Sequence, residues 1–546
     1  MYKLVKKFVN LQALNISLKS TSEPGDGEVL LQSISESIKN MTYLRKIKIC
    51  LSLHSSKHSI IHLTKALKKL SRLTELHFEM QYISPSGFSA LLETASGLVN
   101  IKRLTINVKT FALKPSDGLN IMNFPQCWKN LQGLEKLEFM ISNLFPESLS
   151  FENTFSYLSN LKTLVLHINC FNKSFPDLWV GLGEELRKLE QLNRLEIYFE
   201  KDLRIDTDIS IKNFFRSLTG LHLNELKLSI LAYINETTGS FLEDLGEMIR
   251  ASKLSNLSLT LILNEYVVIE NLIRFKDRIK RLETPLKSFN FKHSNQLLQT
   301  DFLPEIIQEL GRFKDLEELT LELPLIDFQS SNSALIKNIP QWSQMKKIDI
   351  ILLPMSLSRI PASFFEALER IKTLESLTFH SLSREVSSEE VKNLALCISN
   401  LLRLKNLELK LPEEIPNLHL LAKSIGFLKA LESLQIDLEW SQKLTQNPYE
   451  KFMHMLAKSL SSIKNLVTFS LRLHSISESE ISFVIEICDC LSKMKKLANL
   501  DVLFSGFYLM RSTKRPEQAI SKMLASLPNL RNVTLPILRS NLTFDF

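Results

Sequence analysis

The sequence predicts an α/β solenoid of about eighteen stacked units, a curved horseshoe with a parallel sheet on its concave face and helices on its convex face. Three observations lead there. A motif of the form L-x-x-L-x-L-x-L begins at Leu11, Leu44, Leu73, Ile101, Leu134, Leu161, Leu192, Leu223, Leu254, Leu286, Leu316, Met345, Leu374, Leu404, Leu431, Leu466, Leu497 and Leu530. Its mean period of about 30 residues lies in the range where self-similarity marks stacked supersecondary units. Each copy alternates apolar and polar residues, as in Leu404, Leu407, Leu409 and Leu411, the period of a strand with one buried face. Between copies the apolar spacing turns helical.

Taken in chain order, Leu11 opens the first strand and Leu530 the last. Phe88, Leu91, Leu92, Ala95 and Leu98 lie on one side of a helix, with Ser84 and Pro85 as cap and first-turn proline. Ser387 with Glu390, and Ser477 with Glu480, have the spacing of capping boxes, in which a hydroxyl and a carboxylate three residues on satisfy orphan backbone donors. After the second box, Ile481, Val484, Ile485 and Cys488 share a side, which places Cys488 in the core and Cys490 elsewhere. The alternative for these two cysteines is a Cys-x-Cys metal site.

Strand and helix are expected to alternate in every repeat. No connection is short enough for a hairpin return, so the strands must run parallel. Strands pair about 4.8 Å apart whereas packed helices need about 8–10 Å, so the helical side takes the outside of an arc. Eighteen strands would then line a wall on the order of 80 Å long. No Pro/Gly/Ser-rich linker interrupts residues 1–546, which read as one solenoid domain. The irregular places are insertions after strands: Thr21–Glu28, Phe111–Trp128, Ser441–Pro448 and Gly506–Gln518. Repeat proteins place specificity in such loops.

These residues resemble the ribonuclease-inhibitor-like class of leucine-rich-repeat proteins, whose long repeats carry a strand and a full α-helix. The resemblance covers almost the whole chain and implies a leucine-rich-repeat solenoid acting by binding. It departs at the position eight residues after the first leucine. That class places Asn or Cys there; this chain has Asn only at Asn169, and elsewhere Lys19, Ser52, Gln81, Glu200, Pro324 or Pro412. Something other than that side-chain ladder must satisfy the turn. The extra apolar residues Leu18, Leu411, Leu438 and Leu473 suggest that the strands run on before turning.

The polar positions of the strands should face the concave side. Lys46, Lys48, Arg103 and Lys109 fall toward the first end, Glu196, Glu200, Glu318 and Glu322 in the middle, and Glu408, Asp437 and Glu439 later. Such a gradient would steer a partner with complementary segments; dispersed charge on a solvated surface is the alternative. Apolar residues at outward positions are Tyr198, Leu231 and Ile262, then Ile351, Leu353 and Leu382. Exposed apolar clusters mark contacts, unless the strand-end members turn into the core. The last insertion mixes Phe507, Tyr508, Arg511, Lys514 and Arg515, aromatic and basic groups that could meet RNA or acidic lipid. The candidate partner-binding residues are therefore Tyr198, Leu231, Ile262, Ile351, Leu353, Glu318, Glu322, Phe507, Tyr508 and Arg511.

The sequence carries no G-x-x-x-x-G-K-[ST] loop, H-E-x-x-H helix or G-x-S-x-G elbow, and no catalytic, cofactor-binding or metal-ligating residue is assigned. His54, His58 and His62 have helical spacing, but no acid or cysteine completes a ligand set and the first is expected in a loop. A net charge of +8 spread over 546 residues is not the concentrated basic stripe of a nucleic-acid binder. Six unpaired-looking cysteines fit a reducing compartment, cytoplasmic or nuclear. The start lacks the apolar core of a secretory signal, no run of eighteen apolar residues could cross a bilayer, and no polar capping unit is foreseen at either end. The expected function is a non-enzymatic scaffold holding protein partners on its concave face and rim loops, with no cofactor, membrane or small-molecule substrate. The alternatives are a GTPase-activating regulator of a small GTPase and the substrate-recognition subunit of a ubiquitin ligase.

Overall fold

The structure, a computed structural model, describes residues 11–18, 26–55, 57–83, 85–111, 128–144, 153–170, 176–199, 208–232, 241–263, 274–275, 277–279, 281–282, 285–293, 302–323, 335–352, 360–381, 386–412, 415–438, 449–474, 481–505, 514–537 and 540–545. Residue contacts group the chain into two units, Met1–Thr284 and Pro285–Phe546.

In the first unit the order is β1 (Ala13–Leu18), α1 (Asp26–Ile38), β2 (Lys46–Ser55), α2 (Lys57–Leu67), β3 (Glu75–Ile83), α3 (Pro85–Ser96), β4 (Arg103–Phe111), β5 (Lys136–Leu144), β6 (Thr163–Cys170), α4 (Pro176–Arg187), β7 (Arg194–Phe199), α5 (Asp208–Leu218), β8 (Glu225–Ala232), α6 (Phe241–Ala251) and β9 (Asn256–Leu263). Each strand pairs in parallel with the next.

The second unit continues with β10 (Ser288–His293), α7 (Phe302–Leu310), β11 (Glu318–Leu323), β12 (Lys347–Leu352), α8 (Ala362–Glu369), β13 (Ser376–Ser381), α9 (Ser388–Asn400), β14 (Asn406–Leu411), α10 (His419–Ile425), β15 (Ser433–Leu438), α11 (Tyr449–Leu460), β16 (Thr468–His474), α12 (Ile481–Leu491), β17 (Asn499–Ser505), α13 (Lys514–Ser526) and β18 (Asn532–Ile537). Here too successive strands are parallel. A further strand, β19 (Ser540–Asp545), pairs antiparallel with β18, an element the repeat did not foreshadow.

Register follows from the leucines, because a one-residue slip would turn every apolar side chain to the wrong face. Leu407 thus opposes Leu434 and Leu409 opposes Ile436, and all four are buried. The first leucines of the repeats from Leu44 to Leu497, Ile101 and Met345 included, are buried, while Leu11 and Leu530 are half-buried. Helices close over this face. Phe88 of α3 packs near Phe139 of β5 (ring centroids 6.3 Å apart), Trp179 of α4 meets Phe199 of β7 edge-on at 4.8 Å, and Phe365 of α8 lies against Phe379 of β13. The expected helical face Phe88, Leu91, Leu92, Ala95 and Leu98 is buried throughout.

The groups that the missing Asn/Cys ladder would have served are only part of the joint between repeats. Within each unit, one carbonyl at a strand's entry accepts two N–H groups of the following repeat. Thr74 O takes Lys102 N (2.8 Å) and Arg103 N (3.0 Å), and Glu375 O takes Lys405 N (2.8 Å) and Asn406 N (2.9 Å). Asparagine side chains just before the first leucine add rungs: Asn100 Nδ2 donates to Ser71 O at 2.7 Å, Asn160 to Gln132 O at 2.7 Å and Asn529 to Lys495 O at 2.6 Å. The ladder has moved to the strand entry.

Buried carboxylates join the helical layer in the same manner. The Ser387–Glu390 capping box forms, with Glu390 N donating to Ser387 Oγ (3.2 Å) and Ser387 N to Glu390 Oε2 (2.7 Å). The other oxygen of Glu390 accepts Ile360 N from the preceding repeat at 2.6 Å. Glu185, also buried, accepts Phe155 N at 3.1 Å and Ser156 Oγ at 3.3 Å on one oxygen and Lys188 Nζ on the other. Satisfying a buried acceptor on both oxygens is what makes its burial tolerable.

Several sequence expectations are corrected. A full helix is not found in every repeat: among the described residues, 153–159 between β5 and β6 form turns only, and 335–341 before β12 form a short helix ending in one 3-10 turn, Ile339–Gln341. That short segment is anchored by Asn338 Nδ2 donating to Ile307 O (2.6 Å) and Trp342 Nε1 donating to Leu310 O (3.1 Å), which close the end of α7. Helix α1 starts inside the first insertion and α13 begins at Lys514, inside the last, so Lys514 and Arg515 are helical. His54 belongs to β2 while His58 and His62 lie on α2, which breaks their supposed common helical face. In α12, Cys488 is buried as expected, with Ile487, while Ile485 and Cys490 are half-buried. Ser84, Ser477, Glu480 and the Ser441–Pro448 insertion lie outside the described residues. Among those residues no helix is long and apolar enough to cross a membrane.

Candidate functional site on the open face of the sheet

Alternate strand residues point away from the helices, and the pairing aligns them in three rows along each unit. In the first unit one row runs Lys46, Glu75, Arg103, Lys136; the next Lys48, His77, Thr105, Glu138; the third Cys50, Glu79, Asn107, Met140. Of the four basic residues expected to form a positive segment, Lys46, Arg103 and Lys109 are paired with acids, as is Lys136 beside them. Lys46 pairs with Glu75 at 3.0 Å, Arg103 with Glu75 at 3.4 Å, Lys109 with Glu79 at 3.1 Å and Lys136 with Glu138 at 3.1 Å. Exposed pairs of this kind add little stability.

Beside them Cys50, His77 and Glu79 converge, each offering one ligand atom within 4.8 Å of the others. The Cys50 thiol donates to Glu79 Oε2 at 3.5 Å. Burial, then the carboxylate, pushes the thiol pKa up; burial, then Lys48, pushes the His77 imidazole down; and the hydrogen bond from Lys109 holds Glu79 below the usual carboxylate range. The sequence reading missed this trio because it treated each strand alone. Aligning the repeats by their first leucine puts Cys50 and Glu79 at the same position of successive strands and His77 two residues before Glu79.

Farther along the unit, Tyr198 is no loose apolar residue. Its ring stacks on His167 at 4.1 Å with 7° between planes, Lys227 Nζ sits 5.2 Å from its centroid, and its hydroxyl donates to Glu196 Oε2 at 2.7 Å. Arg194 Nε donates to the other oxygen of Glu196 at 2.7 Å. Burial and the Glu196 hydrogen bond raise the tyrosine pKa. Burial alone would raise that of Glu196, but the donors Tyr198 and Arg194 outweigh it and the net shift is downward. Leu231 and Ile262 are register partners in β8 and β9, but their side chains are not among the described ones.

In the second unit Glu318 is exposed and Glu322 pairs with Lys292 at 3.1 Å. Ile351 stands in the third row, between Glu322 and His380 in register, and is half-buried. The middle row, Thr320, Asp349, Thr378, Glu408, Gln435, Ser470 and Asp501, carries separate hydrogen-bonded pairs, one of them joined by His380 from the third row. Thr320 donates to Asp349 (2.9 Å), His380 and Glu408 are 2.9 Å apart, Gln435 donates to Glu408 (3.3 Å) and Ser470 to Asp501 (3.1 Å). Arg472 adds a bond to Asp501 at 2.8 Å. Leu353, Leu382, Glu200, Glu439, Phe507, Tyr508 and Arg511 lie outside the described residues.

A parallel strand per repeat, a helical layer on one side and a row-ordered polar face on the other define a leucine-rich-repeat solenoid, and the chain has that fold. No family model matches the chain, and none of the curated proteins matches it. Among solved structures it is similar to TLR13 in the crystal structure of the TLR13–ssRNA13 complex, with 14% identity over 92% of this chain and 85% of that one at a TM-score of 0.34. A likeness of that order says nothing of ligand or partner; the fold assignment rests on the register itself.

Proposed function

We propose that the chain is a non-enzymatic scaffold of the ribonuclease-inhibitor-like kind that binds protein partners through the open sheet face and the loops following its strands. The supporting observation is the Tyr198 cluster. An aromatic ring fixed by stacking, a hydrogen bond and a neighbouring cation loses little freedom when a partner covers it, which is the quality of a binding anchor. Ile351 offers a second apolar point within a charged row, and Glu318 and Glu322 supply the polar rim around it. No cofactor is required. Cytoplasmic or nuclear residence follows as part of the same reading.

The test is affinity purification with in-cell cross-linking, comparing the native chain with Tyr198→Ala and Ile351→Asp, all shown to melt at the same temperature. A protein cross-linked to the open face should be lost from at least one variant. If both variants retain the full set of cross-linked proteins, the open-face reading is wrong.

A further inference from the structure

We propose that Cys50, His77 and Glu79 form a binding site for a divalent transition metal of the zinc class. This goes beyond the scaffold reading and does not rest on it. Among the described residues this is the one group of three such donors placed to hold an ion.

Chemistry and geometry agree. A thiolate, an imidazole and a carboxylate are the donors that zinc takes, usually at tetrahedral positions. With metal–sulfur near 2.3 Å and metal–oxygen near 2.0 Å, a tetrahedral edge between S and O spans about 3.5 Å. The Cys50 Sγ to Glu79 Oε2 distance is 3.5 Å. The thiol proton now lying between those two atoms is what the metal would replace: the S–H bond breaks, a sulfur–metal bond forms, and the proton leaves to solvent.

Two buried polar atoms support the site independently of that distance. His77 Nε2 has no hydrogen-bond partner, and neither has Asn107 Oδ1, which belongs to Glu79's register partner on β4. Orphaned buried polar atoms are uncommon and call for a reason. An ion accepting the lone pair of His77 supplies one. Meanwhile the second oxygen of Glu79 stays on Lys109 at 3.1 Å, an outer contact of the sort that orients a ligating carboxylate. Bound thiolate and carboxylate would together cancel the charge of the ion. Three protein donors leave a fourth position for water or an outside ligand, with the Asn107 oxygen next to it in the row.

The test is a titration of the chelator-stripped full chain with Co2+ and, in competition with a chromophoric chelator, with Zn2+. One ion per chain is expected, with visible bands of tetrahedral cobalt and a thiolate-to-cobalt charge-transfer band. Cys50→Ser should abolish the charge-transfer band, His77→Gln should weaken Zn2+ binding at least tenfold, and Cys490→Ser should leave both unchanged. X-ray absorption of the zinc-loaded native chain should show one sulfur neighbour and otherwise nitrogen or oxygen, a readout that needs no variant to fold. The proposal is overturned if the native chain takes up no ion, if the bound ion has no sulfur neighbour, or if a folded Cys50→Ser binds as the native chain does.

Discussion

The two units use one apolar pattern and finish it differently. In the first, β2 to β5 run for nine or ten residues, and their open face carries Lys/Arg–Glu pairs around Cys50, His77 and Glu79. In the second, β10 to β17 run for six or seven, and on the open face hydroxyl–, amide– and imidazole–carboxylate pairs stand beside the ion pairs Lys292–Glu322 and Arg472–Asp501. The buried rows are interchangeable: Leu228 and Leu407 are each 1% exposed. Stacking therefore constrains only the inward residues, and the outward rows are left to diverge, which is where the two units acquire different chemistry.

The largest effect should be common to both units. Leu228→Lys and Leu407→Asp each put a charge in a sealed layer, which costs about 3–5 kcal/mol. Hydrogen exchange should show the loss centred on the substituted repeat and its neighbours. Similar loss of protection at distant repeats of the same unit would contradict the nearest-neighbour character of the stack.

A smaller effect separates regular from irregular repeats. A Cβ on Gly311 would stand 2.5 Å from Asn338 Cγ, the side chain that anchors the short segment before β12. Gly311→Ala should cost about 1–3 kcal/mol. Gly181 of α4 has nothing within 4 Å of such a Cβ, and Gly181→Ala should stabilise by up to about 1 kcal/mol. Melting temperatures moving in the same direction for the two variants would undo the contrast.

The smallest is confined to the first unit and depends on pH. Glu196 titrates below the ordinary carboxylate range in the folded chain, burial notwithstanding, because Tyr198 and Arg194 donate to it. Its contribution to stability is thus present above the unfolded-state pKa, about 4.3, and is lost as pH falls through the lower folded value. Tyr198→Phe removes one donor and should shift that acid loss to higher pH, seen as convergence of the two denaturation midpoints in acid. Parallel midpoints across the whole range would mean that the hydroxyl does not hold the carboxylate.

Much of this was legible in advance. The first leucines, the strand alternation, the Phe88–Leu98 face, the Ser387 capping box and the burial of Cys488 all depend on periodicity along the chain. What escaped depends on neighbours a repeat away. Tyr198 read as exposed because nothing within its strand announces His167 or Lys227. Glu408 read as one charge of the concave gradient, with nothing to announce that it meets His380 and Gln435 from the strands on either side. Glu390 was visible as half of a capping box and invisible as the acceptor for Ile360 N.

The sequence by itself determined the repeat, the strand register and which side chains are sealed, because burial of leucine at a fixed period allows one solution for each strand. Only the tertiary structure decided which polar side chains meet across the sheet, since residues about thirty apart are brought face to face by pairing. Cys50, His77 and Glu79 are ordinary residues along the chain, and two neighbouring parallel strands bring them together.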